Sequence, residues 1–143
     1  MRLFIDTGPF IARFSKLDAH HADSVRSFEK IGKSETSYRR LYTSDYVLDE
    51  AITGCRQRTH SHKPSVELGT AIFSSESIVL LKVDDLTVSE AWELYRERGE
   101  VELSFTDCTS AVLARKHGIA DIFTYDTDFR ALGFVALSRI GVG

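Results

Sequence analysis

The feature of this sequence that most restricts its fold is the regular exchange of short apolar runs for helical patterns. Leu3-Phe4-Ile5, Leu41-Tyr42-Thr43, Ile78-Val79-Leu80-Leu81, Ile122-Phe123-Thr124 and Phe134-Val135-Ala136 are short and uniformly apolar. Runs of that kind belong to buried parallel strands rather than to strands with one wet face. Between them lie segments with helical spacing. Residues 18 to 31 carry Ala22, Val25, Phe28 and Ile31 on one face, with Asp18 as the cap. A second helix runs from Asp45 past Cys55, and a third starts at Pro64 and reaches Phe73. Thr87-x-x-Glu90 has capping-box form, and Val88, Ala91, Trp92 and Tyr95 behind it predict a core-facing stripe with Trp92 inside. The last helix, Cys108 to His117, is opened by Ser104-x-x-Asp107 and closed by Gly118-Ile119 in the manner of a Schellman motif. Strands alternating with helices in this way give an α/β chain with a mainly parallel sheet covered on both faces.

A chain of 143 residues is most simply one domain, expected here over residues 1–143, and it buries enough surface to need no disulfide or structural metal. Cys55 and Cys108 lack metal-ligand spacing and lie in helical patterns, so both are expected as buried free thiols. No apolar run is long enough for a membrane span, and the first residues enter a strand pattern without a basic leader, so a cytoplasmic protein is expected. The net charge of -3 argues against broad electrostatic attraction to nucleic acid. Local basic stretches remain: Lys33, Arg39 and Arg40 in a polar loop, and Arg56, Arg58, His60, His62 and Lys63 after the second helix. The latter has the makings of an RNA-contacting rim and equally of a solvated helix end. His20 and His21, being adjacent, point about 100° apart and are unsuited to sharing a metal.

Carboxylates recur at the ends of these elements. Asp6 follows the first strand, Asp126 follows the fourth, and Asp107 sits at the start of the helix before it. Parallel strands share one carboxyl-terminal edge, where sites form in open α/β sheets. Each acid also has a local role to weigh: Asp6 as a turn or N-cap residue before Pro9, Asp107 as the capping-box acid. Gathered on one edge, however, such groups repel unless a cation neutralises them, and an all-oxygen set selects a hard ion such as Mg²⁺ or Mn²⁺. That arrangement suits phosphodiester hydrolysis. Asp49 and Glu50 flank the apolar stripe of the second helix, and periodicity does not decide which turns toward Asp6. Asp6-Thr7-Gly8 also has the form of half an aspartic-protease dyad, but the helical patterns exclude an all-β fold. No Ser/His/Asp or Cys/His arrangement and no GxxxxGK[ST] or GxGxxG loop is present.

Phe4-Ile5-Asp6-Thr7, Thr43-Ser44-Asp45-Tyr46-Val47-Leu48-Asp49-Glu50, Leu103-Ser104-Phe105-Thr106-Asp107-Cys108 and Thr124-Tyr125-Asp126-Thr127-Asp128-Phe129, in this order and spacing, resemble the PIN domain and its VapC-like toxin ribonucleases. The resemblance covers nearly the whole chain. It implies a three-layer α/β/α sandwich with a small, mainly parallel central sheet and a Mg²⁺- or Mn²⁺-dependent endoribonuclease. It also implies an RNA substrate, a homodimer and an antitoxin partner. Asp6, Glu50 and Asp107 match the first three acidic positions, which selects Glu50 over Asp49; Asp126 matches the fourth, with Asp128 as helper or substitute. A hydroxyl near the first or fourth acid often assists, here Thr7 or Thr124. The alternative the resemblance leaves is a PIN-fold module that binds RNA or protein without cutting. A receiver domain would want an acidic cluster after the first strand and a late lysine, and a haloacid-dehalogenase-like phosphatase would want Asp-x-Asp there.

Overall fold

The computed structural model describes residues 1–141. Five short strands, β1 (Arg2–Ile5), β2 (Arg40–Ser44), β3 (Ile78–Leu81), β4 (Asp121–Phe123) and β5 (Val135–Leu137), form one sheet in the order β3-β2-β1-β4-β5. Every pairing is parallel; Phe4 lies opposite Tyr42 on one side and Ile122 on the other. The helices are α1 (Thr7–Phe14), α2 (His21–Gly32), α3 (Asp45–Thr59), α4 (His62–Ser74), α5 (Asp85–Glu97) and α6 (Phe105–Lys116), with a 3₁₀ turn over Thr127–Leu132. Going from β1 to β2 to β3 the chain steps one way across the sheet, and from β3 to β4 it steps back past β1. Right-handed crossovers then put α1 to α4 on one face and α5 and α6 on the other. The packing agrees, since α1 to α4 contact one another and α5 lies along α6. This is the three-layer α/β/α sandwich that the sequence led us to expect. Among the described residues, no helix is long and apolar enough to cross a membrane.

The centre of the sheet is the centre of the core. Leu3, Phe4, Ile5, Ile122 and Phe123 are fully buried, as a strand covered on both faces requires. The edge strand β3 is less covered, with Val79 and Leu80 exposed. Cys55 and Cys108 are buried free thiols, as expected. The close of α6 is also as expected: Gly118 is left-handed (φ 64°), Ile119 N–H reaches Ala114 C=O at 2.8 Å, and Gly118 N–H reaches Arg115 C=O at 3.1 Å.

Four local expectations are corrected. Residues 7–14 form a helix with Asp6 at its N-cap position, where the sequence had offered a turn or a cap without marking the helix; Gly8 and Pro9 both fall in its first turn, where Pro9 has no intrahelical bond to lose. The helix expected from Asp18 starts at His21; Asp18 accepts the His20 N–H in the preceding turn instead. Thr87 does not cap α5. Asp84 does, accepting the Thr87 N–H at 2.9 Å and the Thr87 hydroxyl at 2.6 Å. The helix therefore starts earlier, and its inward stripe runs through Thr87, Ala91 and Leu94. Trp92, one residue and about 100° round from Ala91, is 52% exposed and stacked on exposed Tyr95.

The two kinds of aromatic should respond differently to truncation. Phe4→Ala is expected to cost about 3–5 kcal/mol, and Trp92→Ala no more than about 0.5 kcal/mol. Urea midpoints measured at constant m-value test the pair, and a large loss for Trp92→Ala would restore it to the core.

Candidate active site

β1 and β4 are neighbours at the point where the sheet order reverses, and a crevice opens beyond their carboxyl ends. Asp6 leaves β1 there, its N–H bonded to Phe123 C=O at 3.0 Å. It occupies the N-cap position of α1, yet its side chain makes no cap bond. Oδ2 instead accepts the Thr124 hydroxyl at 2.7 Å, and Oδ1 is buried without a partner. Burial, followed by the charge of Asp107, pushes this carboxyl up to about 7; Glu50 adds to the rise, and the Thr124 hydroxyl and Thr7 N–H oppose it. Thr124 also accepts the Asp126 N–H at 3.0 Å, so one hydroxyl fixes the first acid and the turn carrying the fourth. Of the two hydroxyls the family resemblance offered, Thr124 makes the contact, whereas Thr7 Oγ1 is buried and unpartnered.

Asp107 is both a cap and a member of the acidic group. Ser104 Oγ accepts the Asp107 N–H and Asp107 Oδ2 accepts the Ser104 N–H, each at 3.0 Å. Its carboxyl is half-buried, and burial pushes it up to about 6 against those bonds, with the charges of Asp126 and Glu50 adding to the rise. Glu50 is exposed on α3, and its charge adds to the rise at both Asp6 and Asp107. Asp126 caps the 3₁₀ turn by accepting the Asp128 N–H at 2.9 Å. Burial raises it first, and the charges of Asp128 and Glu102 contribute. Asp128 adds its charge at Asp126 and donates its backbone N–H to it.

Glu102 was not anticipated: it stands in an irregular loop with no motif to mark it. Nor was the contact between Gly8 and Tyr125, where a Cβ on Gly8 would come within 2.9 Å of the Tyr125 ring. Tyr125 lies between Thr124 and Asp126, and exposed His20 stacks on its other side at 3.9 Å between centroids. The bare backbone of Gly8 lets this turn sit close to α1.

The acids are neighbours in charge rather than in contact. Among the described residues, no three His, Cys, Asp or Glu side chains are gathered as a ready metal-ligand set. Mutual repulsion keeps uncompensated carboxylates apart. The donor chemistry nonetheless fits a hard cation, for the set is all oxygen and the buried Asp6 Oδ1 lacks any other partner. From this edge a cleft of about 480 Å³ runs along α3, lined by Thr7, Ile11, Tyr46, Asp49, Glu50, Thr53, Gly54, Gln57, Arg58 and Thr106.

The PIN domain family model matches residues 3–135, and with this fold and acidic edge the chain belongs to the PIN domain family. Its relatives there include VapC proteins. It is 30% identical over 136 residues to the 23S rRNA-specific endonuclease VapC20 of Mycobacterium tuberculosis, covering 93% of this chain and 95% of that protein. It is 28% identical over 130 residues to the VapC ribonuclease of Archaeoglobus fulgidus, covering 90% and 80%. The crystal structure of Mycobacterium tuberculosis VapC20, a Sarcin-Ricin loop cleaving toxin, matches with a TM-score of 0.82 at 31% identity over 93% of this chain and 96% of that one. VapBC2 from Rickettsia felis, crystallised with a DNA fragment from its promoter, shares the fold at 14% identity and a TM-score of 0.67, with 95% and 97% covered.

The raised carboxyls make a signed prediction for the cation-free protein. Asp6 and Asp107 hold protons to about 7 and about 6 when folded but only to 3.8 when unfolded. Their contribution to stability is full below pH 3.8 and is lost as pH rises through the folded values. In EDTA, their contribution lowers Tm as pH rises from 5 to 8, and Asp6→Asn flattens that slope. Mg²⁺ or Mn²⁺ raises Tm more at pH 8 than at pH 5. A Tm whose pH slope is the same in Asp6→Asn and in the parent would show that Asp6 is ionised throughout.

Proposed function

We propose that this protein is a divalent-metal-dependent endoribonuclease whose site is Asp6, Glu50, Asp107 and Asp126, with Asp128 supporting Asp126, and that it acts as the toxin of a toxin–antitoxin pair. The observation that carries the reading is the buried Asp6 carboxylate, with one oxygen held by Thr124 and the other unpartnered, coupled by charge to Asp107 and Glu50. The names of the VapC20 and Archaeoglobus fulgidus relatives support ribonuclease chemistry, and VapC20 is itself called a toxin. An antitoxin partner, a homodimer and a cytoplasmic location follow from that kinship as part of the same proposal.

In this reading Asp6 and Asp107 are the principal ligands of Mg²⁺ or Mn²⁺, and Glu50 and Asp126 complete the shell or hold a second ion. Bound there, the cation polarises the phosphodiester and increases the acidity of the attacking water. The protein's own work is orientation. Thr124 holds one Asp6 oxygen and leaves the other unpartnered, and the Ser104 N–H leaves one Asp107 oxygen free. The N-termini of α1, α3 and α6 all open on this edge, and their partial positive charge offsets some of the repulsion among the acids. No histidine is assigned a role.

Asp107→Asn separates cap from chemistry, because the amide oxygen still accepts the Ser104 N–H. Metal-dependent cleavage of ribosomal RNA is expected to fall at least about a hundredfold, the kinetic equivalent of the several kcal/mol a positioned divalent ion supplies. Ser104→Ala should cost about 1 kcal/mol of stability and leave cleavage in place. Full cleavage by Asp107→Asn would reduce that residue to a capping role. Intact RNA with the folded parent protein in either metal would favour the non-cutting binding module.

A further inference from the structure

One residue of the basic stretch that follows the acids in the sequence, Arg58, lies at the far end of the same cleft. Glu50 and Arg58 both line the cleft, eight residues apart on α3, which at 1.5 Å per residue is about 12 Å along the helix axis. Gly54 lies between them and keeps the floor low: a Cβ there would come within 2.8 Å of Ile11 Cδ1. The cleft is therefore polarised, with carboxylates at the sheet edge and Gln57 and Arg58 at the other end.

Arg58 is only loosely engaged. Its Nη1 stands 3.8 Å from Asp18 Oδ2, beyond hydrogen-bond distance, and its side chain is 60% exposed while that of Asp18 is 16% exposed. A pair so widely spaced, with its guanidinium in solvent, contributes little to stability. The guanidinium head is thus free to exchange a distant carboxylate for a closer anion. Resting on the endoribonuclease reading, we propose that the α3 cleft is the track for a single-stranded stretch of the RNA substrate, and that Arg58 binds a backbone phosphate flanking the scissile one.

Two facts favour RNA backbone as the occupant. The carboxylate end can accept a phosphate only with a cation between them, whereas the Arg58 end accepts one directly, so a chain of phosphates matches the polarity of the cleft. At about 480 Å³ the cleft suits a single strand rather than a duplex. With a net charge of -3 over the whole chain, attraction for a polyanion has to come from such a local site.

The test uses full-length protein carrying Asp107→Asn, so that bound RNA survives, and a short fluorescent single-stranded RNA of mixed sequence in Mg²⁺. Affinity is measured across a salt series for Asp107→Asn alone and with Arg58→Gln or Asp18→Asn added. Loss of one phosphate contact lowers the slope of log K against log salt by about 0.7 for single strands. Arg58→Gln is expected to show that drop, and in otherwise unaltered protein to raise KM for RNA with kcat unchanged. Asp18→Asn, which keeps an oxygen for the His20 N–H, is expected to bind RNA as well as its parent or better. An unchanged slope in Arg58→Gln overturns the assignment, as does equal weakening by both changes, which would make the pair a structural tie. RNA binding that survives without the Arg58 term leaves the nuclease reading standing. No binding by any variant at low salt, with no cleavage by the parent, overturns that reading and this one together.

Discussion

The hydroxyl of Thr124, 2.7 Å from the buried carboxylate of Asp6, is the contact on which the acidic edge depends. It joins the ends of the two strands between which the sheet reverses order, and through its second bond, to the Asp126 N–H, it sets the turn that follows. Burying a carboxylate is costly unless it is bonded, and this one is only half satisfied. The folded chain therefore carries an electrostatic load at this edge that the apolar centre of the sheet has to outweigh. Asp6 bears that load because its side chain is not spent on capping α1, although its backbone occupies the capping position.

The direction of the sheet does the rest. With every pairing parallel, each strand delivers its following segment to the same edge, and α1, α3 and α6 begin there. One architectural fact thus supplies both the acids and the helix N-termini that temper their repulsion. It also explains how Asp107 can serve two ends. A capping-box acid must lie in the first turn of its helix, and in this fold the first turn of α6 is beside the crevice. Capping the helix and belonging to the acidic group are thus compatible in Asp107.

What could be read in the sequence follows the same physics. β1, β2 and β4 were legible because strands buried on both faces are apolar throughout, β3 because its run is equally apolar although its edge position leaves Val79 and Leu80 exposed, and Asp6, Asp107 and Asp126 because acids at element ends stand out against such runs. The choice of Glu50 over Asp49 needed kinship, since both flank one stripe. α1 was hidden because Gly8 and Pro9 break helices everywhere except in a first turn. The phase of α5 was misjudged because Asp84 and Thr87 both have capping chemistry, and a change of cap accompanied a one-residue shift of the inward stripe that moved Trp92 to the surface. Glu102 and the seat of Tyr125 against Gly8 depend on loops packing across the sheet, for which no local pattern exists.

The same constraint accounts for the looseness of the acidic group. Four carboxylates drawn tightly together without a cation would cost more than a domain with a stability of only about 5–15 kcal/mol could bear. Holding them within reach of one another's charge, with Glu50 exposed to water, keeps the cation-free fold viable. A ligand that neutralises the cluster then binds the folded state alone and stabilises it in proportion to its occupancy. In such a design a bound cation would complete the edge of the fold, and the stability it adds would answer to these same carboxylates.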